Sequence, residues 1–338
     1  MSYGVAVKYL KTIGIVNNGD NGRGFTNPCD VAHAKDGRIY VINRCDYVRR
    51  TAIRVGILNF EEEYLGEFSN GYGDGDGQFV KPVAIAIDSG GRLFVTDEFN
   101  KRISVFDPTG EFLYKWGAEG LNKGELVSPS GIAIDGSDNV YVADQYSNRI
   151  TKFSDTGEYI ESWGSEGTGD GQFNMPWGLA VDAFSNVYVA DWRNDRIQKF
   201  SSQGDFITGF GTSGESDGEF NRPSSVDVDS SGNIYVADWG NNRVQIFDEH
   251  GAFIQVLKGD STLSKWAEDF FAANPDEKEL RDISQLVPTL PSHLNTPDHI
   301  SSQTEPFFWG PVSVGLDYQS RLYVVETNRH RVQIYGRA

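Results

Sequence analysis

Four of the five histidines cluster in two places: His33 near the start of the chain, and His293, His299 and His330 near its end. Imidazole titrates closest to neutral pH, so it serves as general acid, general base or zinc ligand. Arg44 adds a fixed cation able to steady a developing anion. These five are the candidate catalytic set. The fifth histidine, His250, sits in a polar turn, "DEHG", and reads as solvated. An acidic series comes next: Asp97, Asp144, Asp191 and Asp238 each end an apolar run, Glu326 takes the same place near the C-terminus, and Asn43 replaces it near the N-terminus. If these carboxylates face a common cavity they form a Ca²⁺ or basic-ligand site. If they do not, they cap loop N–H groups and pair with the arginine five residues on, as at Arg102, Arg149, Arg196, Arg243 and Arg331. Aromatics follow close behind: Phe99, Tyr146, Trp192 and Trp239, with Trp177 after Pro176. Ringing a concave mouth, they suit a small organic ligand or a peptide; the other reading is packing between neighbouring sheets.

The elements that must position these side chains are legible from repetition. "NVYVADQYSNRI" (139–150) returns as "NVYVADWRNDRI" (186–197) and "NIYVADWGNNRV" (233–244). Pro28, Pro82, Pro129, Pro176, Pro223 and Pro311 open six such units, and an apolar side chain stands three residues before each: Phe25, Phe79, Leu126, Phe173, Phe220, Phe308. Within a unit, "GIAID", "VYVAD", "RITKF" and "EYIESWG" alternate apolar and polar residues between Gly-rich turns, which predicts four strands. Four short strands per unit, six times over, predict an all-β, six-bladed β-propeller as a single domain. The blades fall near 25–68, 79–117, 126–164, 173–211, 220–259 and 307–336. The last unit has three strands, and "YLKTIG" (9–14) matches the outer-strand pattern "FITGFG" (206–211), so residues 5–14 are expected to complete it and remove the free edge.

The unit "GDGQFNMPWGLAVDAFSNVYVADWRNDRIQKFSSQGDFITGFG" (169–211) resembles an NHL repeat, and the resemblance extends over residues 5–259 and 307–336. It implies the six-bladed ring, not one function. Members include a zinc-dependent peptidyl-hydroxyglycine lyase, RNA-binding modules and protein-binding modules. That lyase uses three zinc-binding histidines near the channel, on different blades, with a Tyr and an Arg. Here only His33 falls on an inner strand, so the lyase chemistry is not carried over. A divalent metal, Ca or Zn, would have to draw on the carboxylates or on the insertion.

Function is sought where the units stop agreeing. Residues 260–306 separate the fifth and sixth blades. Asn274 as cap, Pro275 in the first turn and Glu277 predict a helix start, and Trp266, Phe270 and Phe271 give an apolar face. The segment reads as a lid or rim over the mouth of the ring, or as cover for an apolar patch. In the first blade the loop "NRCDYVRRTAIR" (43–54) is longer than its counterparts, and Cys29 and Cys45 are expected roughly opposite each other, as free thiols, a disulfide or a reactive thiolate. Blades six and one are ring neighbours, so the histidines and Arg44 are expected to converge at one mouth.

The net charge of −18 argues against nucleic acid and against an anionic membrane. No basic leader or long apolar window is visible, which gives the expectation of a cytoplasmic protein. The function expected is small-molecule binding, with lyase or hydrolase chemistry, at the mouth near blades six and one under the insertion. The alternative is a scaffold that takes a protein partner on the aromatic loop face.

Overall fold

The computed structural model describes residues 6–17, 22–44 and 50–338. Alternating side chains and tight turns produce six four-stranded antiparallel sheets. In the fourth blade the strands are Pro176–Val181, Val187–Asp191, Arg196–Phe200 and Phe206–Phe210, numbered outward from the axis. Pro176 stands opposite Asp191 and Val181 opposite Val187. Every blade repeats this register, so the proline and acid ends share one rim of the ring and the first hairpin turns share the other.

The second strands are buried along their whole length because each sheet is covered on both faces by its neighbours. Tyr141, Tyr188, Tyr235 and Tyr323 lie fully inside, and each hydroxyl donates to the Asp that forms the hairpin turn beside it. The apolar residue three before each proline is also buried, wedged between one blade and the next. Glycine makes room for it. At Gly164 and Gly211, both with positive φ, a Cβ would stand 2.6 and 2.4 Å from the rings of Phe173 and Phe220.

Ring closure follows the expected plan. Val7–Ile13 pairs antiparallel with Arg331–Arg337, from Val7 opposite Arg337 to Ile13 opposite Val332. The insertion holds helices α1 (Lys265–Ala273), α2 (Pro275–Asp282) and α3 (Pro297–Gln303). Asn274 sits at the start of α2 but does not cap it; its amide donates to the Phe270 carbonyl at 2.8 Å and closes α1 instead. Ser264 caps α1 and donates to the Gly14 carbonyl at 2.6 Å. Trp266 is buried, packs edge-on to Phe25 at 5.8 Å, and its indole N–H donates to the Glu62 carbonyl at 2.7 Å.

The insertion therefore rivets the seam between blades six and one. No residue of 260–306 lines the central channel; α1 clamps the seam, and α3 lies against the blade-five loop at Trp239–Asn241. Among the described residues no helix is long and apolar enough to cross a membrane. Replacing Trp266 with Ala should cost about 3–5 kcal/mol, read as a lower urea midpoint. Deleting residues 1–13 should leave a product that melts far below the full chain.

Candidate functional site

The six inner strands enclose a central channel of about 540 Å³. The third and fifth residues of each inner strand face the next blade, where there is little space. A Cβ on Gly131 would lie 2.5 Å from the Trp177 carbonyl, and one on Gly178 would lie 2.6 Å from that of Ser224. Small residues fill these places, with two exceptions. Asp30 stands where other blades carry Ala84, Gly131, Gly178, Ser225 and Ser313, and Asp227 stands where they carry Ala32, Ala86, Ala133, Ala180 and Gly315.

Asp30 accepts from Ser313 Oγ at 2.5 Å and from Ile85 N at 2.8 Å. Asp227 accepts from Val228 N at 2.8 Å and Leu316 N at 2.7 Å. Both grip the inner strand of blade six, one from each side. Burial pushes Asp30 up to about 6 against its hydrogen bonds. Burial, with a smaller push from Asp30, lifts Asp227 to about 7. Sequence reasoning missed this pair; laying the six inner strands over one another would have shown two acids in columns of Gly, Ala and Ser.

The histidines do not converge. His33 pairs with Ile39 at the far end of an inner strand that starts with Pro28 opposite Asn43. Five residue steps of a strand separate the two rims by about 16 Å. The His33 ring lies 4.1 Å from that of Tyr323, and neither of its nitrogens, both shut off from solvent, has a hydrogen-bond partner among the described residues. Burial pushes it down to about 4, opposed by Asp317 and helped by Arg321. His330 is at the other rim, its Nδ1 accepting from Asn27 N at 3.0 Å. His299 Nδ1 bonds Thr296 Oγ1 at 2.8 Å within α3, and His293 is exposed in a short turn. Arg44 pairs with Glu98 at 2.8 Å, an acid that Lys81 shares at 2.7 Å. Expected as one cluster, these residues serve separate local contacts, because neighbouring blades bring strands together without bringing the two rims together.

The acidic series does not face the channel either. Asp97, Asp144, Asp191, Asp238 and Glu326 are fully buried inside their blades. Each receives a backbone N–H from the segment entering its blade: Val80, Ser128, Asn174, Asn221 and Trp309 in turn. In blade five Arg243 Nε donates to Asp238 at 2.7 Å, and its other nitrogens reach the carbonyls of Glu215, Ser216 and Glu219 at 2.7–2.8 Å. Arg149, Arg196 and Arg331 repeat the pairing, while Arg102 binds only the carbonyls. Burial holds Asp191 and Asp238 above the usual carboxylate range despite these partners. In blade one Asn43 accepts from Thr26 N at 2.9 Å, and Arg54, opposite it in register, binds the Ala52 and Gly24 carbonyls and pairs with Glu67. The longer loop had concealed Arg54. Among the described residues no three of His, Cys, Asp and Glu are placed to hold a metal ion. Cys29 is a buried thiol pushed up to about 12 by burial; Cys45 lies outside the described residues.

The aromatics do share the acid-end rim. Phe99, Tyr146 and Trp239 are exposed, the first two at 65% and 59%. Trp177 lines the channel, and its ring stands 5.8 Å from that of Trp192. The guanidiniums of Arg222 and Arg193 lie 5.2 and 5.5 Å from the Trp192 ring.

This ring, with its repeated acid-and-arginine latch, defines the class: a six-bladed β-propeller. The chain carries NHL repeats. The family described as "NHL repeat" matches residues 173–200 and 220–247, and that described as "6-bladed beta-propeller" matches residues 78–163. Human NHL repeat-containing protein 3 is 32% identical over 117 residues, which is 34% of this chain and 32% of the relative. The match thus spans about a third of the curated relative. Among solved structures, a streptogramin B lyase is 10% identical with 98% of each chain covered and a TM-score of 0.57. Virginiamycin B lyase from Staphylococcus aureus is 11% identical, with 98% of this chain and 99% of that one covered, at 0.55. A Bacteroides thetaiotaomicron protein of unknown function is 14% identical, with 98% and 75% covered, at 0.60. These likenesses are of fold.

Two outcomes test the electrostatics. Because their folded pKa values are raised, Asp30 and Asp227 contribute stability that is complete below the ordinary value of 3.8 and is lost as pH rises through about 6 and 7. His33 has the opposite sign: its contribution stands above 6.5 and is lost as pH falls toward 4. Lowering the pH from about 8 to about 6.5 should therefore raise Tm, and Asp227→Asn should weaken that rise. Separately, Asp238→Ala should destabilise by about 3–5 kcal/mol, the cost of removing one partner from a buried ion pair, measured by denaturant unfolding.

Proposed function

We propose that this propeller is a binding module that takes a small organic ligand or a peptide on the rim carrying Trp177 and Trp192. One observation supports this above the others: Trp177 lines the channel and meets Trp192 on the adjoining loop, and two arginines lie near the Trp192 ring. The latches fix these loops before any ligand arrives, which lowers the ordering cost of binding. Aromatic faces with flanking guanidiniums favour a planar or apolar group bearing negative charge. Lyase chemistry is not part of this reading, because the five expected catalytic residues are dispersed. A second reading, a protein partner, is favoured by the exposure of Phe99 and Tyr146 on blades two and three, which carries the aromatic surface outward from the channel.

A thermal-shift screen of metabolites and peptides against the full chain tests the proposal. Ligands that raise Tm should lose at least about tenfold in affinity with Trp177→Ala and Trp192→Ala, or about 1.4 kcal/mol. Undiminished binding by both variants would reject the site. Loss confined to Phe99→Ala and Tyr146→Ala would favour the protein-partner reading.

A further inference from the structure

Two acids and one imidazole stand in the channel at places where other blades pack without a titratable group. Blades two, three and four close with Ala84, Gly131 and Gly178 in the place of Asp30, and with alanines in the place of Asp227. A carboxylate in these columns is costly, since the packed strands take water from it and two like charges feel each other. An ionised carboxylate takes about four hydrogen bonds. Asp227 receives only Val228 N and Leu316 N among the described contacts, which leaves capacity on both oxygens.

His33 is an independent observation on the same channel. It stands among the lining residues, and both its nitrogens are closed to solvent and, among the described residues, unpartnered. Buried polar groups are ordinarily hydrogen-bonded, so an orphaned imidazole points to a group that is supplied from outside. Across from it stands Gly315, where a Cβ would be 3.1 Å from Val31 Cγ1 and 3.5 Å from His33 Nε2, so the strand of blade six comes close to the imidazole only because this position has no side chain. Asp227 holds the very next residue, Leu316, from the other side.

We propose that the channel binds an organic cation, its ammonium or guanidinium group between Asp30 and Asp227 and a neutral hydroxyl or amide of the same molecule on His33. A free metal ion is the poorer occupant, because among the described residues no three ligating side chains are grouped to hold one. An ammonium needs fewer and looser acceptors. The imidazole, with its pKa lowered by burial, stays neutral at physiological pH and offers one donor and one acceptor rather than a repelling charge. Asp30 and His33 are three residues apart on one strand, about 10 Å, which sets the spacing of the ligand's two polar ends. A volume of about 540 Å³ falls in the usual range for small-molecule sites. The site lies deeper than the aromatic rim and does not depend on what that rim binds.

The probe is aminohexanol, with hexanediol as its neutral counterpart and calcium chloride as the metal control, each titrated calorimetrically into the full chain. Aminohexanol should bind and hexanediol should not. Asp30→Asn and Asp227→Asn should each weaken the amine by at least about tenfold, while Trp192→Ala should leave it unchanged, so that failure here is separate from failure at the rim. In the wild-type protein, NMR of labelled histidine should show the His33 ring shifting on amine addition, a readout that survives if a variant fails to fold. The proposal is overturned if the wild type neither binds the amine nor shifts His33, if variants that melt normally bind it undiminished, or if calcium binds and both Asp variants abolish that binding.

Discussion

A charge held inside a β-sheet organises this molecule. The carboxylate at the end of each second strand has lost its water, and a lone buried charge would be intolerable. It is compensated by backbone N–H groups from the segment entering the blade and, in blades three to six, by a guanidinium whose remaining donors hold the turn that precedes it. One set of contacts thus joins three stretches of chain: the end of the previous blade, the start of this one, and the loop between its second and third strands. The aromatic rim inherits its rigidity from that arrangement. Without it the loops bearing Tyr146, Trp192 and Trp239 would have no fixed position.

Symmetry also explains where specific chemistry can reside. A column of six equivalent positions around an axis tolerates only what fits six times over, which in the channel means Gly, Ala and Ser. Asp30 and Asp227 break the column at the two neighbours of blade six, the same blade whose outer strand comes from the other end of the chain. The first blade adds His33, Asn43 and a longer loop. The irregular features accumulate beside the seam, and the regular blades two to four supply the frame.

Much of this was legible in the sequence, for reasons that are physical. Period-2 alternation, proline at the head of each inner strand and glycine at each turn are local signals, and they placed the strands and the closing segment 9–14 within a few residues of Val7–Ile13. The candidate site was read less well. Adjacency of blades was legible, but height along the strand was not, so His33 and His330 were expected together and lie at opposite rims. The helices of the insertion announced themselves by composition, yet their docking rests on Trp266 meeting Glu62, a contact across some two hundred residues that no local pattern encodes. Asp30 and Asp227 carry no motif; each is a single residue whose meaning appears only against its five counterparts.

The seam has a kinetic consequence. Around the rest of the ring every sheet is continuous with its hairpins, so no blade can leave without breaking its own covalent run. Between the sixth sheet and its outermost member there is no hairpin; the strand is held by the pairing of Val7–Ile13 with Arg331–Arg337, by Lys11 on Glu62, by Gln255 on Val7, and by the rivet formed by Trp266 and Ser264. Opening begins where detachment needs the fewest simultaneous ruptures, and that is here. The lifetime of the native ring is then set by how fast one short segment peels from its neighbour, and contacts elsewhere bear on equilibrium far more than on that rate.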